Sequence, residues 1–134
     1  MNAPKSICII DDDPIYQLIT KKIIEKSQLF SQILSYKNGK VAIDSLKAIQ
    51  SAEEFPDVIL LDIDMPEMDG WAFMNELQRM DFGFEKKPAI YIASSSIANE
   101  DREKANSFPE IVGYLCKPID RDILERIHLE NPKD

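Results

Sequence analysis

Val58-Ile59-Leu60-Leu61 runs without a break into Asp62-Ile63-Asp64-Met65-Pro66-Glu67-Met68-Asp69-Gly70. Four apolar residues in a row, without alternation and ending in acids and turn formers, predict a short strand buried on both faces. The same design opens the chain, where Ile7-Cys8-Ile9-Ile10 runs into Asp11-Asp12-Asp13. Ile33–Tyr36, Ala89–Ala93 and Ile111–Cys116 are three further strand-like runs bounded by polar or turn residues.

The intervening segments carry helical periodicity. Asp13-Pro14 supplies a candidate N-cap followed by proline at the first helical position, and Ile15, Leu18, Ile19 and Ile23 follow as an apolar stripe. Asn38-Gly39 is a turn that opens a second helix with Ala42, Leu46 and Ile49 on one face. Trp71, Met74, Leu77 and Met80 mark a third, and Asn99–Ser107 a weaker, mostly polar fourth. Asp120 caps a fifth, with Ile123, Leu124 and Ile127 inward. Five strands alternating with five helices predict an α/β fold, a doubly wound parallel sheet with helices on both faces. At 134 residues the chain suits one domain over 1–134, with a core of about 6–128.

Such a sheet binds ligands beyond the carboxyl ends of its strands. Those ends carry Asp11-Asp12-Asp13, Asp62-Ile63-Asp64, Ser94-Ser95-Ser96 and Lys117-Pro118. Carboxylates gathered there repel by roughly 4 kcal/mol per pair at about 4 Å and an effective dielectric near 20. A hard divalent cation such as Mg²⁺ offsets that repulsion, and a lysine and a hydroxyl complete a site for a phosphoryl group on a carboxylate.

Taken in order, Ile9-Ile10-Asp11-Asp12-Asp13-Pro14, the stretch from Leu60 to Gly70, Ser94 and Lys117-Pro118 resemble the receiver domains of two-component response regulators, the single-domain chemotaxis regulators among them. The resemblance implies a flavodoxin-like sheet of strand order 2-1-3-4-5. It implies Asp62 as phosphoacceptor, with Asp12 and Asp62 binding Mg²⁺ directly, Asp11 acting through water and the Asp64 backbone carbonyl completing the set. Lys117 would pair with the phosphoryl oxygens, and its bond to Pro118 is commonly cis in the family. Ser94 would be the switch hydroxyl, with Ser95 beside it as the alternative, and Tyr114 the aromatic that moves with it. The family more often has threonine at that hydroxyl position, and Phe108-Pro109 replaces its usual Gly-Ala pair.

The implied function is a phosphorylation-dependent switch, fed by a sensor histidine kinase or histidine phosphotransfer protein and catalysing nothing beyond its own phosphorylation and dephosphorylation. Its downstream protein target would bind the face made by the fourth helix, fifth strand and fifth helix. Only seven residues follow Ile127, so no output domain is expected. The alternative reading is a haloacid-dehalogenase-like phosphatase with Asp62 as nucleophile, because Asp62-Ile63-Asp64 resembles that family's signature.

A net charge of −8 argues against nucleic-acid binding, which needs a basic face. No apolar run approaches membrane-spanning length, and the N-terminus lacks a signal-peptide core, which predicts a cytoplasmic protein. Cys8 and Cys116 lie in apolar runs and are expected to be buried free thiols. His128 is expected to sit at a helix end, favoured there by the dipole. Trp71 is expected to be a packing residue, Phe82-Gly83-Phe84 a hydrophobic anchor for a long loop, with an exposed partner patch as the alternative, and Lys86-Lys87 a solvated loop.

Overall fold

The computed structural model describes residues 5–80, 87–95 and 98–131. In chain order the elements are β1 (Lys5–Ile10), α1 (Pro14–Ser27), β2 (Phe30–Tyr36), α2 (Gly39–Lys47), β3 (Val58–Leu61), α3 (Gly70–Arg79), β4 (Ala89–Ser94), α4 (Asn99–Asn106), β5 (Ile111–Cys116) and α5 (Arg121–Glu130). All pairings are parallel and the sheet order is β2-β1-β3-β4-β5. The winding therefore reverses between β1 and β3, and a crevice opens where both strands end in acids.

Alternation along each central strand divides the core. Cys8, Ile10, Ile59, Leu61, Ile90 and Ile92 pack against Ala42, Leu46, Phe73 and Met74 of α2 and α3. Ile7, Ile9, Val58, Leu60, Tyr91 and Ala93 pack against Ile24 of α1 and Leu124 and Ile127 of α5. Fully burying each such aliphatic side chain stabilises the fold by about 1.5–3 kcal/mol before the entropy of ordering. This is why Ile7–Ile10 of β1 and Val58–Leu61 of β3 read as unbroken apolar runs.

Side-chain caps begin four of the helices. Asp13 accepts from the N–H of Ile15 and Tyr16, Asn38 from Val41, Asp69 from Ala72 and Asp120 from Ile123. Strand β2 starts at Phe30, three residues before the apolar run at Ile33, because it is an edge strand whose first half is partly exposed.

Two expectations about burial are corrected. Ile15, Leu18 and Ile19 are 69%, 56% and 50% exposed, whereas Thr20, Ile24 and Ser27 are the buried residues of α1. Ser27 tolerates burial because its hydroxyl donates to the Ile24 carbonyl and accepts from the Leu29 N–H. Cys116 is exposed, because it ends the edge strand β5, where Val112 is exposed as well; Cys8 is buried, and burial pushes its thiol pKa up.

His128 does lie in the last turn of α5, with its ring edge-on to Phe30. Burial and the Lys5 charge hold its pKa below the usual value, and the Lys5 ammonium caps the His128 carbonyl at 2.5 Å. The cation at this helix end is therefore the lysine. Trp71 stacks on Phe108 at 6.1 Å between ring centres. Phe82-Gly83-Phe84 and Lys86 lie outside the described residues, and Lys87 is exposed.

Candidate functional site

The acids reach the crevice because the strands deliver them there. Asp11 follows β1, and its N–H still donates to the Tyr36 carbonyl, so its backbone continues the sheet. Asp62 follows β3, and its N–H donates to the Ile10 carbonyl. Both residues are buried while Asp12 is exposed at the rim. Carboxylate oxygens of Asp11, Asp12 and Asp62 all lie within 4.8 Å of one another.

Each buried carboxylate has fixed partners. Asp11 Oδ1 accepts from the Asp13 N–H at 2.9 Å, and its Oδ2 pairs with Lys117 Nζ at 2.6 Å. Asp62 Oδ1 accepts from the Asp64 N–H at 3.1 Å, and its Oδ2 lies 3.6 Å from the same ammonium. Burial pushes the Asp62 pKa up to about 6, with Asp11 and Asp12 adding repulsion and the Asp64 N–H and Lys117 opposing it. Burial alone would lower the Lys117 pKa, but the hydrogen bond and charge of Asp11, followed by the charge of Asp62, raise it. At neutral pH the site thus holds an ionised but poorly solvated Asp62 facing a firmly protonated lysine.

Lys117 directly follows β5, at the carboxyl edge of the same sheet. Its backbone N–H donates to the Ser94 carbonyl, and the Lys117–Pro118 peptide bond is cis. Ser94 is buried and Ser95 is exposed; Ser96 lies outside the described residues. Tyr114 pairs with Ile92 across β4 and β5. Its hydroxyl donates to the Arg102 carbonyl and Asn106 Oδ1 of α4, and the Arg102 guanidinium covers its ring at 4.9 Å.

Two glycines let backbones approach the site closely. A Cβ on Gly70 would stand 2.8 Å from Ile63 Cα and 2.9 Å from the Asp62 carbonyl oxygen, so α3 begins hard against the Asp62 backbone. A Cβ on Gly39 would meet the Met68 carbonyl at 2.9 Å, which seats α2 on the loop after β3. That loop holds Glu67 at a φ of 65°.

Two residues that sequence reasoning passed over also belong to the site. Gln17 Nε2 donates to the carbonyls of Asp11 and Tyr36 at 3.1 and 2.9 Å, closing the ends of β1 and β2. The Tyr16 ring lies under Lys117 Nζ at 4.4 Å. The usable signal was their position in the first turn after the Asp13 cap, where side chains lean back over the preceding strand end. A cleft of about 630 Å³ opens beside Asp12 between Leu18 and Val41.

A family model for the response regulator receiver domain matches residues 7–128. The chain belongs to this family. Among curated proteins, this receiver domain is 33% identical over 142 residues to a protein-glutamate methylesterase/protein-glutamine glutaminase of Desulfitobacterium hafniense, covering 95% of this chain and 33% of that relative. The receiver domain thus spans about a third of that relative's length. Among solved structures, a two-component response regulator from Cytophaga hutchinsonii matches with TM-score 0.84 and 27% identity, over 95% of this chain and 96% of that one. The receiver domain of a Pseudomonas aeruginosa sensor histidine kinase, which has a magnesium ion coordinated in its active-site cleft, shares the fold with TM-score 0.76 and 22% identity, over 96% and 98% of the two chains. The phosphatase alternative finds no support among these matches. No helix among the described residues is long and apolar enough to cross a membrane.

Proposed function

We propose that this receiver domain takes its phosphoryl group on Asp62, from a phosphohistidine of a sensor kinase or phosphotransfer protein. The observation that carries this assignment is the buried Asp62 carboxylate, raised to about 6 and set against Lys117 at 3.6 Å. An Asp62 oxygen attacks phosphorus while the P–N bond breaks. The bonding pair stays on the donor's imidazole, which takes a proton from water.

The donor set fits a hard cation, since three carboxylates converge on a few ångströms and Lys117 is the one ammonium paired with them among the described residues. Asp11, Asp12 and Asp62, with the Asp64 carbonyl, would hold Mg²⁺. Bound there, it would neutralise charge developing on the phosphoryl oxygens. Lys117 shifts from Asp11 toward a phosphoryl oxygen, and the Ser94 hydroxyl donates to another. Movement of Ser94 opens space toward Tyr114, whose hydroxyl then leaves Arg102 and Asn106. The α4–β5–α5 face changes with it, and a downstream protein target binds there.

The donor protein docks on α1, supported by exposed Ile15, Leu18 and Ile19 beside Asp12. The protein works in the cytoplasm, contacts neither nucleic acid nor membrane, and catalyses only its own phosphorylation and dephosphorylation. Incubation with acetyl phosphate and Mg²⁺ is expected to add one hydroxylamine-labile phosphate by intact mass. Asp62→Asn is expected to abolish it, and persistence of that mass in the variant would refute the assignment. No turnover of phosphomonoesters is expected, and turnover would revive the phosphatase reading.

A further inference from the structure

Lys117 Nζ has three supports on three segments of the chain: Asp11 Oδ2 at 2.6 Å, Asp62 Oδ2 at 3.6 Å and the face of the Tyr16 ring at 4.4 Å. The first two are carboxylates that a divalent cation would engage. The third is neutral. It is also fixed in place, because the Asp13 carboxylate caps the Tyr16 N–H and the ring packs against the core beneath α1.

We propose that Tyr16 is a positioning residue for Lys117, holding the ammonium within reach of Asp62 when a cation draws Asp11 away from it. The inference rests on the assignment of Asp62 as phosphoacceptor. A ring face attracts an ammonium through its quadrupole, and more strongly where water is partly excluded, as at Lys117, whose side chain is 18% exposed. It adds no negative charge to a site already crowded with carboxylates. It is also weaker than a pair with a phosphoryl dianion, so it restrains the lysine without competing for it. An aliphatic side chain in its place would leave the ammonium nothing to rest on, and the flexible stem would carry it toward solvent.

The experiment follows wild type, Tyr16→Phe and Tyr16→Leu in binding Mg²⁺ alone and beryllofluoride with Mg²⁺. Tyr16→Phe is expected to match wild type in both. Tyr16→Leu is expected to bind beryllofluoride about threefold to tenfold more weakly, the range for a partly desolvated cation–π contact, while Mg²⁺ alone binds no more weakly than in wild type. A general loosening of the site would weaken both ligands, and that result would overturn the proposal. So would a Leu variant with wild-type beryllofluoride affinity, or a Phe variant as weak as Leu. A readout that needs no variant is the NMR shift of the Lys117 Hε protons in wild type. Ring current is expected to hold it upfield, and to keep doing so after Mg²⁺ is added; collapse to the free-lysine value with Mg²⁺ would also overturn the proposal. Failure of wild type to bind beryllofluoride would instead sink the acceptor assignment, and this inference with it.

Discussion

Replacing Asp62 by asparagine should make the fold more stable, although it removes the proposed phosphoacceptor. The Asp62 carboxyl rises from 3.8 to about 6 in the folded chain, which at about 1.4 kcal/mol per pKa unit amounts to at most about 3 kcal/mol. That shift already balances burial and the repulsion of Asp11 and Asp12 against the attraction of Lys117. A neutral isostere that keeps the acceptor for the Asp64 N–H therefore relieves the net cost. Solvent reaching the rim at exposed Asp12 screens part of it, leaving about 1–2 kcal/mol at pH 7.5, or about 3–8 °C in Tm for a chain of this size. The sign reverses the usual carboxylate case. An acid whose pKa is higher folded than unfolded makes the folded state the tighter proton binder between the two values. Its ionisation thus lowers stability as pH rises from about 4 to about 6. The advantage of Asp62→Asn is expected in full at pH 7.5, reduced at pH 5, and nearly gone at pH 4. Urea unfolding of both proteins in EDTA at the three pH values tests this. A variant no more stable than wild type at pH 7.5, or an advantage that does not change with pH, would refute the reasoning.

Two further outcomes follow from the site. Mg²⁺ should raise the unfolding temperature, by about 1.4 kcal/mol of stabilisation at ten times its dissociation constant, and Asp12→Ala should remove most of that gain in a thermal-shift titration; an equal shift in the variant would move the cation elsewhere. Gly70→Ala should cost about 1–3 kcal/mol in denaturant titration and slow labelling by acetyl phosphate, because the atoms its Cβ would meet include the backbone of Asp62 and Ile63; unchanged stability would refute that contact.

The sequence announced the sheet through Ile7–Ile10 of β1 and Val58–Leu61 of β3, which are apolar throughout and buried on both faces. It announced the acids because each follows directly on one of those strands. Helix α1 misled the reading for a physical reason. Hydrophobicity ranks Ile15, Leu18 and Ile19 above Thr20 and Ser27, yet the helix presents the polar pair inward, with the Ser27 hydroxyl bonded within the turn. Exposed apolar side chains there are legible only once the acid site beside them is known. The start of β2 at Phe30-Ser31-Gln32 was hidden by the mixed polarity of an edge strand. Tyr16 under Lys117 was not legible because the contact joins residues a hundred positions apart, and periodicity along one element carries no such information. The exposure of Cys116 depends likewise on β5 being an edge, a property of the sheet order and not of the local residues.

Helix α4 buries Ala105 alone, and its N-cap residue Ala98 offers no side-chain acceptor. Among the described residues, its ties to the body run through the Tyr114 hydroxyl, Arg102 over the Tyr114 ring, Lys104 over Trp71, and the stacked Trp71 and Phe108 at its end. An element held by so few contacts opens at a small fraction of the global unfolding free energy, so its amides should exchange with solvent far sooner than those of α2 or α3. A partner that clamps α4 must spend part of its binding energy on ordering it, and the complex will dissociate faster than its contact area suggests. For the target surface proposed here, that looseness would set how quickly a message can be withdrawn once it has been delivered.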